Sequence, residues 1–399
     1  MAASSMESIA VLSPRVTRVL GQNPGPFTLQ GTNTYLIAPQ ASAAAAILPT
    51  VLIDTGDGEE AYIPLLERTL RGAPGNKEDG TVPTGRRYIT EIALSHRHHD
   101  HIDGLPNVLA LLGRLRADPD FSSTPLPLPR LHKKPDAKHD PALIEVLQGL
   151  PADSYEPYAA GSAPSPLWPL KADDVLSSHR EGSSLQTAER ISLQVVETPG
   201  HTADHLCFLL KEERTLFTAD HVLGQGTTVF EDLNAYIDSL TRCSALLEQT
   251  GPSVFHASTE NRLYPGHGPV VERGRFTLKQ YTEHRLEREA QILELLATPS
   301  PSKQSSMDGS ANWSLAEIVG EMYAGFPEGV LRAAGKGIFL HLHRLATNDW
   351  PKSVARVKCL KHPEYARGTF GKPPRLPEDM EEWEQVGESR WCLIKRAAI

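Results

Sequence analysis

The chain is short of cysteine, of long apolar runs and of positive charge. Its four cysteines, Cys207, Cys243, Cys359 and Cys392, lie far apart and form no Cys-x-x-Cys pair. That spacing argues against a disulfide framework or a thiolate zinc site and suits a reducing compartment. No stretch of about 18 apolar residues occurs, so no membrane span is expected. The N-terminal MAASSMESIAVLSPRV has none of the long apolar core of a secretory signal. Its Ser and Ala content, with Arg15 and Arg18, leaves a mitochondrial presequence as the lesser alternative, against which Glu7 and an early strand weigh. The expected location is the cytoplasm, with the mitochondrial matrix second. Lys and Arg number 40 against 49 Asp and Glu, a formal net charge of −9, with no long basic block. A chain whose main task is to hold a nucleic-acid backbone is more often basic, although a local groove can be basic on an acidic protein. No internal repeat is present.

What is there is enough apolar residue, 40% of 399, for one large core and a smaller second one. Apolar runs at 16–19, 35–37 and 51–53 predict strands, and NPGP at 23–26 predicts a turn. Helical spacing predicts helices over 61–70, 105–115, 233–249 and 275–296, the last long and amphipathic. YITEIALS at 88–95 reads as a strand, as do the runs beginning at Ile191, His205 and Arg214. Residues 38–50 and 72–87 read as a hairpin extension or loop and a surface insertion, and 117–189 as short strands and irregular loops. TPSPSKQSSMDGSAN, 298–312, reads as a linker. The expected domains are therefore 12–297 and, after that linker, a small helical or winged-helix-like module at 313–399. Residues 351–390 form an insertion in this module.

The sharpest local signal is Ser95-His96-Arg97-His98-His99-Asp100-His101, which holds HxHxDH directly after a strand. Imidazole and carboxylate are good zinc ligands, and a tight turn can direct His96, His98, Asp100 and His101 toward one centre. Four such groups in six positions are hard to attribute to a polar turn collecting histidines by chance. His99 takes no role. Two further turns, Thr198-Pro199-Gly200-His201-Thr202 and Tyr264-Pro265-Gly266-His267-Gly268, project a histidine after a glycine, and Asp220 ends another strand between them. Taken alone, each Pro-Gly-His is equally an ordinary turn with a surface histidine. Together with HxHxDH they supply the ligands that two ions would need.

HxHxDH, PGHT, an Asp after a strand and PGHG, in that order, resemble the metal-ligand series of the metallo-β-lactamase superfamily. The resemblance implies an α/β fold, an αββα sandwich with the site at one edge between its sheets. It implies two Zn(2+) ions per chain. His96, His98 and His201 hold one ion and Asp100, His101 and His267 the other, with Asp220 bridging. It implies a metal-dependent hydrolase that uses a metal-bound hydroxide, with Asp100 as catalytic residue orienting the nucleophile or relaying its proton. Asp54 then matches a partner that orients a metal-bound histidine, against the plainer reading of a turn cap.

Longer segments narrow the resemblance. NPGPFTLQGTNTYLI (23–37), LIDTGDG (52–58), TPGHTADH (198–205), FTADHVLGQGTTVFEDL (217–233) and YPGHGPVV (264–271) are similar to one subgroup. It holds the beta-lactamase-like-2 endoribonucleases and the fungal thioesterases that release polyketides, in secondary metabolism, from acyl carrier proteins. This chain departs from it by insertions near 38–50, 72–87, 116–140, 252–260 and 351–390, and by Arg97 where relatives often carry an aromatic residue. The first expectation is thioester hydrolysis, with an acyl carrier protein or other acyl-thioester donor as partner. The alternative is endoribonuclease action on single-stranded RNA, which needs a basic groove. Lys279, Arg285, Arg288, Arg332, Lys336 and His343 are its candidates, and solvated helix faces are their plainer reading. Thr32, Asn33 and Thr34 are candidates to line the cleft, and Thr227, Thr228, Phe230 and Glu231 to shape a wall. A turn and plain packing are the respective alternatives.

Overall fold

A computed structural model describes residues 6–40, 47–72, 85–121, 125–159, 164–180, 185, 187, 189–252, 261–303, 311–347, 357–361 and 389–393. Most of the expected insertions at 72–87, 252–260 and 351–390, the middle of the linker and the side chain of Arg332 lie outside the described residues.

Seven strands form the first sheet, in chain order: β1 (Ile9–Val11), β2 (Val16–Leu20), β3 (Asn33–Ile37), β4 (Ile47–Ile53), β5 (Arg86–Leu94), β6 (Arg130–Lys133) and β7 (Leu167–Pro169). It is antiparallel from β1 to β4 and parallel from β4 to β7. The parallel crossovers carry the helices α1 (Tyr62–Leu70), α2 (His99–Ile102), α3 (Leu105–Ala117) and α4 (Asp140–Gln148). The second sheet runs β12-β11-β10-β9-β8, with β8 at Val175–Ser177, β9 at Ser192–Glu197, β10 at Leu206–Leu210, β11 at Thr215–Ala219 and β12 at Leu263–Pro265.

Side-chain alternation decides which face each strand gives to which layer. Tyr35, Ile37, Val51, Ile53 and Ala93 of the first sheet pack with Leu193, Val195, Leu206, Phe208, Phe217 and Tyr264 of the second. The intervening Leu36, Leu52, Ile92 and Leu94 pack instead with Leu66 and Leu70 of α1 and Leu105, Val108 and Leu112 of α3. Buried on both faces, these strands read as continuous apolar runs in the sequence. On the far face of the second sheet, Ser239 and Arg242 of α5 (Leu233–Thr250) donate to the carbonyls of Pro199 and Glu197. The layers are thus helix, sheet, sheet, helix.

The chain divides into two compact units: Met1–Thr228 with Asp238–Lys279, and Val229–Ile237 with Gln280–Ile399. Helix α6 (Gly274–Leu296) contributes residues to both. The second unit also holds α7 (Leu315–Met322), α8 (Glu328–Thr347) and a three-stranded antiparallel sheet. Its strands are β13 (Trp313–Ser314), β14 (Val357–Lys361) and β15 (Arg390–Leu393), in the order β13-β15-β14. Ile318, Ile338, Phe339, Leu342 and Trp391 form its core.

Candidate metal centre

The seven side chains singled out by motif converge at the C-terminal ends of strands. Strand β5 ends at Leu94, and the next residues turn sharply before α2 begins at His99. His98 is extended (φ −64°, ψ 141°) while Asp100 and His101 are helical, so the two pairs of donors point to different places. Gly200, at φ +137°, closes the turn that carries His201, a conformation glycine adopts without strain. Asp220 follows an irregularity in the β11–β12 pairing, at which Ala219 takes a positive φ of 41°. A bulge of this kind re-aims the side chain that follows it.

Gly266 serves a different purpose from Gly200. It has no positive φ, but a Cβ there would lie 2.4 Å from Asp220 Oδ1 and 3.0 Å from His101 Cε1. The glycine is needed for space. Its loop is anchored from the other sheet: Asn33 Nδ2 donates to the carbonyls of Pro265 and Gly268, and Tyr35 Oη to Pro265.

Two donor groups result, His96, His98, His201 and Asp220 in one and Asp100, His101 and His267 in the other. In the first, His98 Nδ1 lies 3.0 Å from both His96 Nε2 and His201 Nε2, and His201 Nε2 is 3.6 Å from Asp220 Oδ2. In the second, Asp100 Oδ2 is 3.3 Å from His101 Nε2 and 3.2 Å from His267 Nε2. Asp220 Oδ1 completes that group at 3.4 and 3.3 Å from the same two nitrogens. Tetrahedral ligand bonds of about 2.0–2.1 Å place neighbouring donors about 3.3 Å apart. Both groups have that spacing, and nitrogen and carboxylate donors suit zinc, so the residues fit two such ions. Asp220 turns one oxygen to each group.

A surrounding layer fixes the ring orientations. Ser95 Oγ donates to Asp54 Oδ2 at 2.8 Å and faces His96 Nδ1 at 3.0 Å, so His96 presents Nε2 inward. His101 Nδ1 lies 2.8 Å from the same Asp54 oxygen, and Ser95 N donates to Asp54 Oδ1. Asp54, held at φ +59°, therefore braces a histidine of each group. His201 Nδ1 faces Thr228 Oγ1 at 3.3 Å, and His267 Nδ1 faces the Gly31 carbonyl at 3.5 Å. Thr32 Oγ1 donates to Asp100 Oδ2 at 2.9 Å.

Electrostatics separates the two halves. Burial, reinforced by neighbouring imidazoles, holds His96 well below the ordinary histidine range and His98 at about 4. Their rings are held in the neutral form, which leaves each one acceptor nitrogen. Burial also favours neutral rings at His101 and His267, but carboxylates outweigh it. Asp100, Asp220 and Asp54 raise His101 well above its usual value, and Asp220 with Asp100 brings His267 to about 9. Burial opposes charge on the carboxylates, yet His101 and His267 hold Asp100 and Asp220 well below the carboxylate range.

Thr32 and Thr228, noted in the sequence only as cleft or wall candidates, touch Asp100 and His201 directly. Ser95, which the motif carries without a role of its own, bridges Asp54 and His96, and its place before HxHxDH is a usable signal. Asn33 anchors the His267 loop, whereas Thr34 is held by the Val19 carbonyl and Tyr62 Oη. Phe230 belongs to the second unit, stacked on Tyr236. His99 is exposed. His205 stands outside both donor groups, its Nδ1 2.8 Å from Thr198 Oγ1.

A family model described as the metallo-beta-lactamase superfamily matches residues 128–281. "Beta-lactamase-like protein 2 homolog" of Caenorhabditis elegans is 31% identical over 341 residues, 85% of this chain and 87% of that protein. An "Atrochrysone carboxyl ACP thioesterase" of Aspergillus fumigatus is 28% identical, covering 82% of this chain and 78% of its own. "Lactamase-like protein adaB" of Aspergillus niger is 30% identical, at 82% and 79% coverage. The crystal structure of a beta-lactamase domain protein from Burkholderia ambifaria shares the fold, with a TM-score of 0.54 at 17% identity over 86% of this chain and 89% of that one. Both kinds of relative expected from the sequence motifs are present, and the chain belongs to the metallo-β-lactamase superfamily as a metal-dependent hydrolase.

Proposed function

We propose that the chain is a dinuclear zinc hydrolase that cleaves an acyl thioester, with an acyl carrier protein as donor and polyketide release as its setting. The observation that carries the dinuclear reading is the split of Asp220, one oxygen to each donor group. Two zinc ions bound there would supply Lewis acidity and ionise water near neutral pH. Asp220 then sets the separation of the two donor groups. Asp100, ionised and steadied by the Thr32 hydroxyl, orients the attacking water and passes on its proton. Water oxygen joins the acyl carbon, the carbon–sulfur bond breaks, and the thiol leaves with a proton. A thioester carbonyl is activated and thiolate is a good leaving group, so no covalent acyl-enzyme is required.

The thioester reading is supported by the fungal relative whose name states that activity. RNA cleavage, the alternative, draws on the likeness to the beta-lactamase-like protein 2 homolog. Two of its basic candidates are engaged elsewhere: buried Arg285 stacks over Phe230 and Tyr236, and Arg288 over Tyr323. Two buried cysteine thiols, Cys207 and Cys243, suit a reducing compartment, and we adopt the cytoplasm. Among the described residues no helix is long and apolar enough to cross a membrane.

The test offers purified protein an acyl-carrier thioester and a single-stranded RNA side by side. Thioester hydrolysis is expected, and Asp220→Ala and His96→Ala should abolish it and lower zinc content. RNA cleavage alone would overturn the substrate; full activity in either variant would overturn the metal site.

A further inference from the structure

The first donor group needs three rings from two separate segments, 96–98 and 198–205, with His98 Nδ1 3.0 Å from the Nε2 of both His96 and His201. One backbone hydrogen bond, Leu206 N to Ser95 O at 2.8 Å, joins these segments. His98, the one of the seven motif side chains that is only partly buried, lies four residues beyond the end of β5. Its approach to His201 therefore depends on what holds its neighbour, Arg97.

We propose that Asp204 is a positioning residue for the His96, His98 and His201 group, and that Arg97 and Lys133 are its arms. This rests on the dinuclear reading above. The Asp204 carboxylate is 1% exposed. Its Oδ1 accepts from Thr202 Oγ1 at 2.7 Å, one residue after His201, and from Arg97 Nη1 at 3.4 Å, between His96 and His98. Its Oδ2 accepts from Lys133 Nζ at 2.7 Å. Lys133, also 1% exposed, ends β6, and its ammonium reaches Asp140 Oδ1 at 2.8 Å and the Lys134 carbonyl at 3.1 Å. Lys134 Nζ in turn holds the Ala203 carbonyl at 3.2 Å and Glu197 Oε2 at 3.1 Å. Arg97 has a second carboxylate, Asp136, at 3.9 Å.

Two adjacent lysines at the end of a first-sheet strand thus seize the turn that carries His201, through a backbone carbonyl and a buried carboxylate. That carboxylate reaches across to the residue between two other donors. Buried opposite charges tie their segments together because leaving either one alone is costly. Removing a partner that hydrogen-bonds a metal ligand weakens metal binding about ten- to a hundredfold, and this clamp acts one residue further out, on the chain neighbours of the donors. The guanidinium of Arg97 is on this reading a strut for the site.

Metal-free protein titrated with Zn2+ against a chromophoric chelator tests this. Wild type should bind two equivalents. His98→Ala should lose one and His267→Ala the other, which labels them. Arg97→Gln and Asp204→Asn should weaken the His98-dependent equivalent about ten- to a hundredfold and leave the other unchanged, and Arg97→Lys should recover part of the loss. Arg97 lies at the partly exposed edge of the cluster, so Arg97→Gln keeps the test open should Asp204→Asn fail to fold. Two equivalents in wild type, with variants that bind both ions normally or weaken both alike, would overturn the clamp alone. Fewer than two in wild type would overturn the dinuclear reading beneath it.

Discussion

A Cβ at residue 266 has nowhere to go, lying 2.4 Å from one oxygen of Asp220. Gly266→Ala should therefore displace Asp220 and His101 while leaving both sheets intact. About a hundredfold loss in kcat is expected for a displacement of this size, with an unchanged circular dichroism spectrum; near-normal turnover would show that the centre tolerates the shift. Asp54 invites the complementary experiment. Its carboxylate touches Ser95 and His101 but belongs to neither donor group. Asp54→Asn should lower metal affinity about ten- to a hundredfold, because the amide can leave His101 in the wrong tautomer. Equilibrium dialysis reads the result, and wild-type affinity would reduce Asp54 to a turn residue. These two residues mark how far the site was legible. The donors themselves are local motifs, so spacing reveals them. The Thr32 bond to Asp100 spans 68 positions and exists only once the sheets have packed. No pattern of nearby residues carries it.

Strands carry the donors, and strand irregularities aim them. Asp220 depends on the bulge at the end of β11, where Ala219 occupies a left-handed conformation that costs an L-residue about 1–2 kcal/mol. The Ala219 carbonyl accepts from Gly266 N at 2.7 Å, which holds the bend. Strand positions were readable because apolar runs buried on both faces are dense, as in VLID and LCFLL. Helix α4 was not: Asp140–Gln148 lies in a Pro- and Asp-rich stretch read as irregular, with a proline in its own first turn. Proline there is compatible with a helix start, since its missing N–H has no partner to lose. In the second unit the start of α7 is a capping box, Ser314 Oγ accepting from Glu317 N while Glu317 Oε2 accepts from Ser314 N. Ser314→Ala should cost about 1 kcal/mol locally. Faster amide exchange across 315–322, with zinc content unchanged, is the expected readout, and unchanged exchange would show that packing alone sets this helix start.

The whole chain bears a net charge of −9, and this bears on which bond is cut. Holding single-stranded RNA releases counterions, so log K falls with log salt by about 0.7 for each phosphate neutralised. A nuclease that tracks a backbone over several phosphates must show a slope of several units. Among the described residues, three arginines are already engaged. Arg285 is buried against two rings, Arg288 lies over Tyr323, and Arg97 is tied to Asp204 and Asp136. A thioester substrate presents an uncharged carbonyl to the centre and makes no such demand. Between 50 and 200 mM salt, therefore, binding of an unstructured RNA by metal-free protein is expected to be weak, with a slope near zero (bounds set by the usual range of such titrations). Fluorescence anisotropy measures it directly. A slope of three or more would mean that a basic groove exists on this acidic chain, and the phosphodiester would replace the thioester as the bond to assay first.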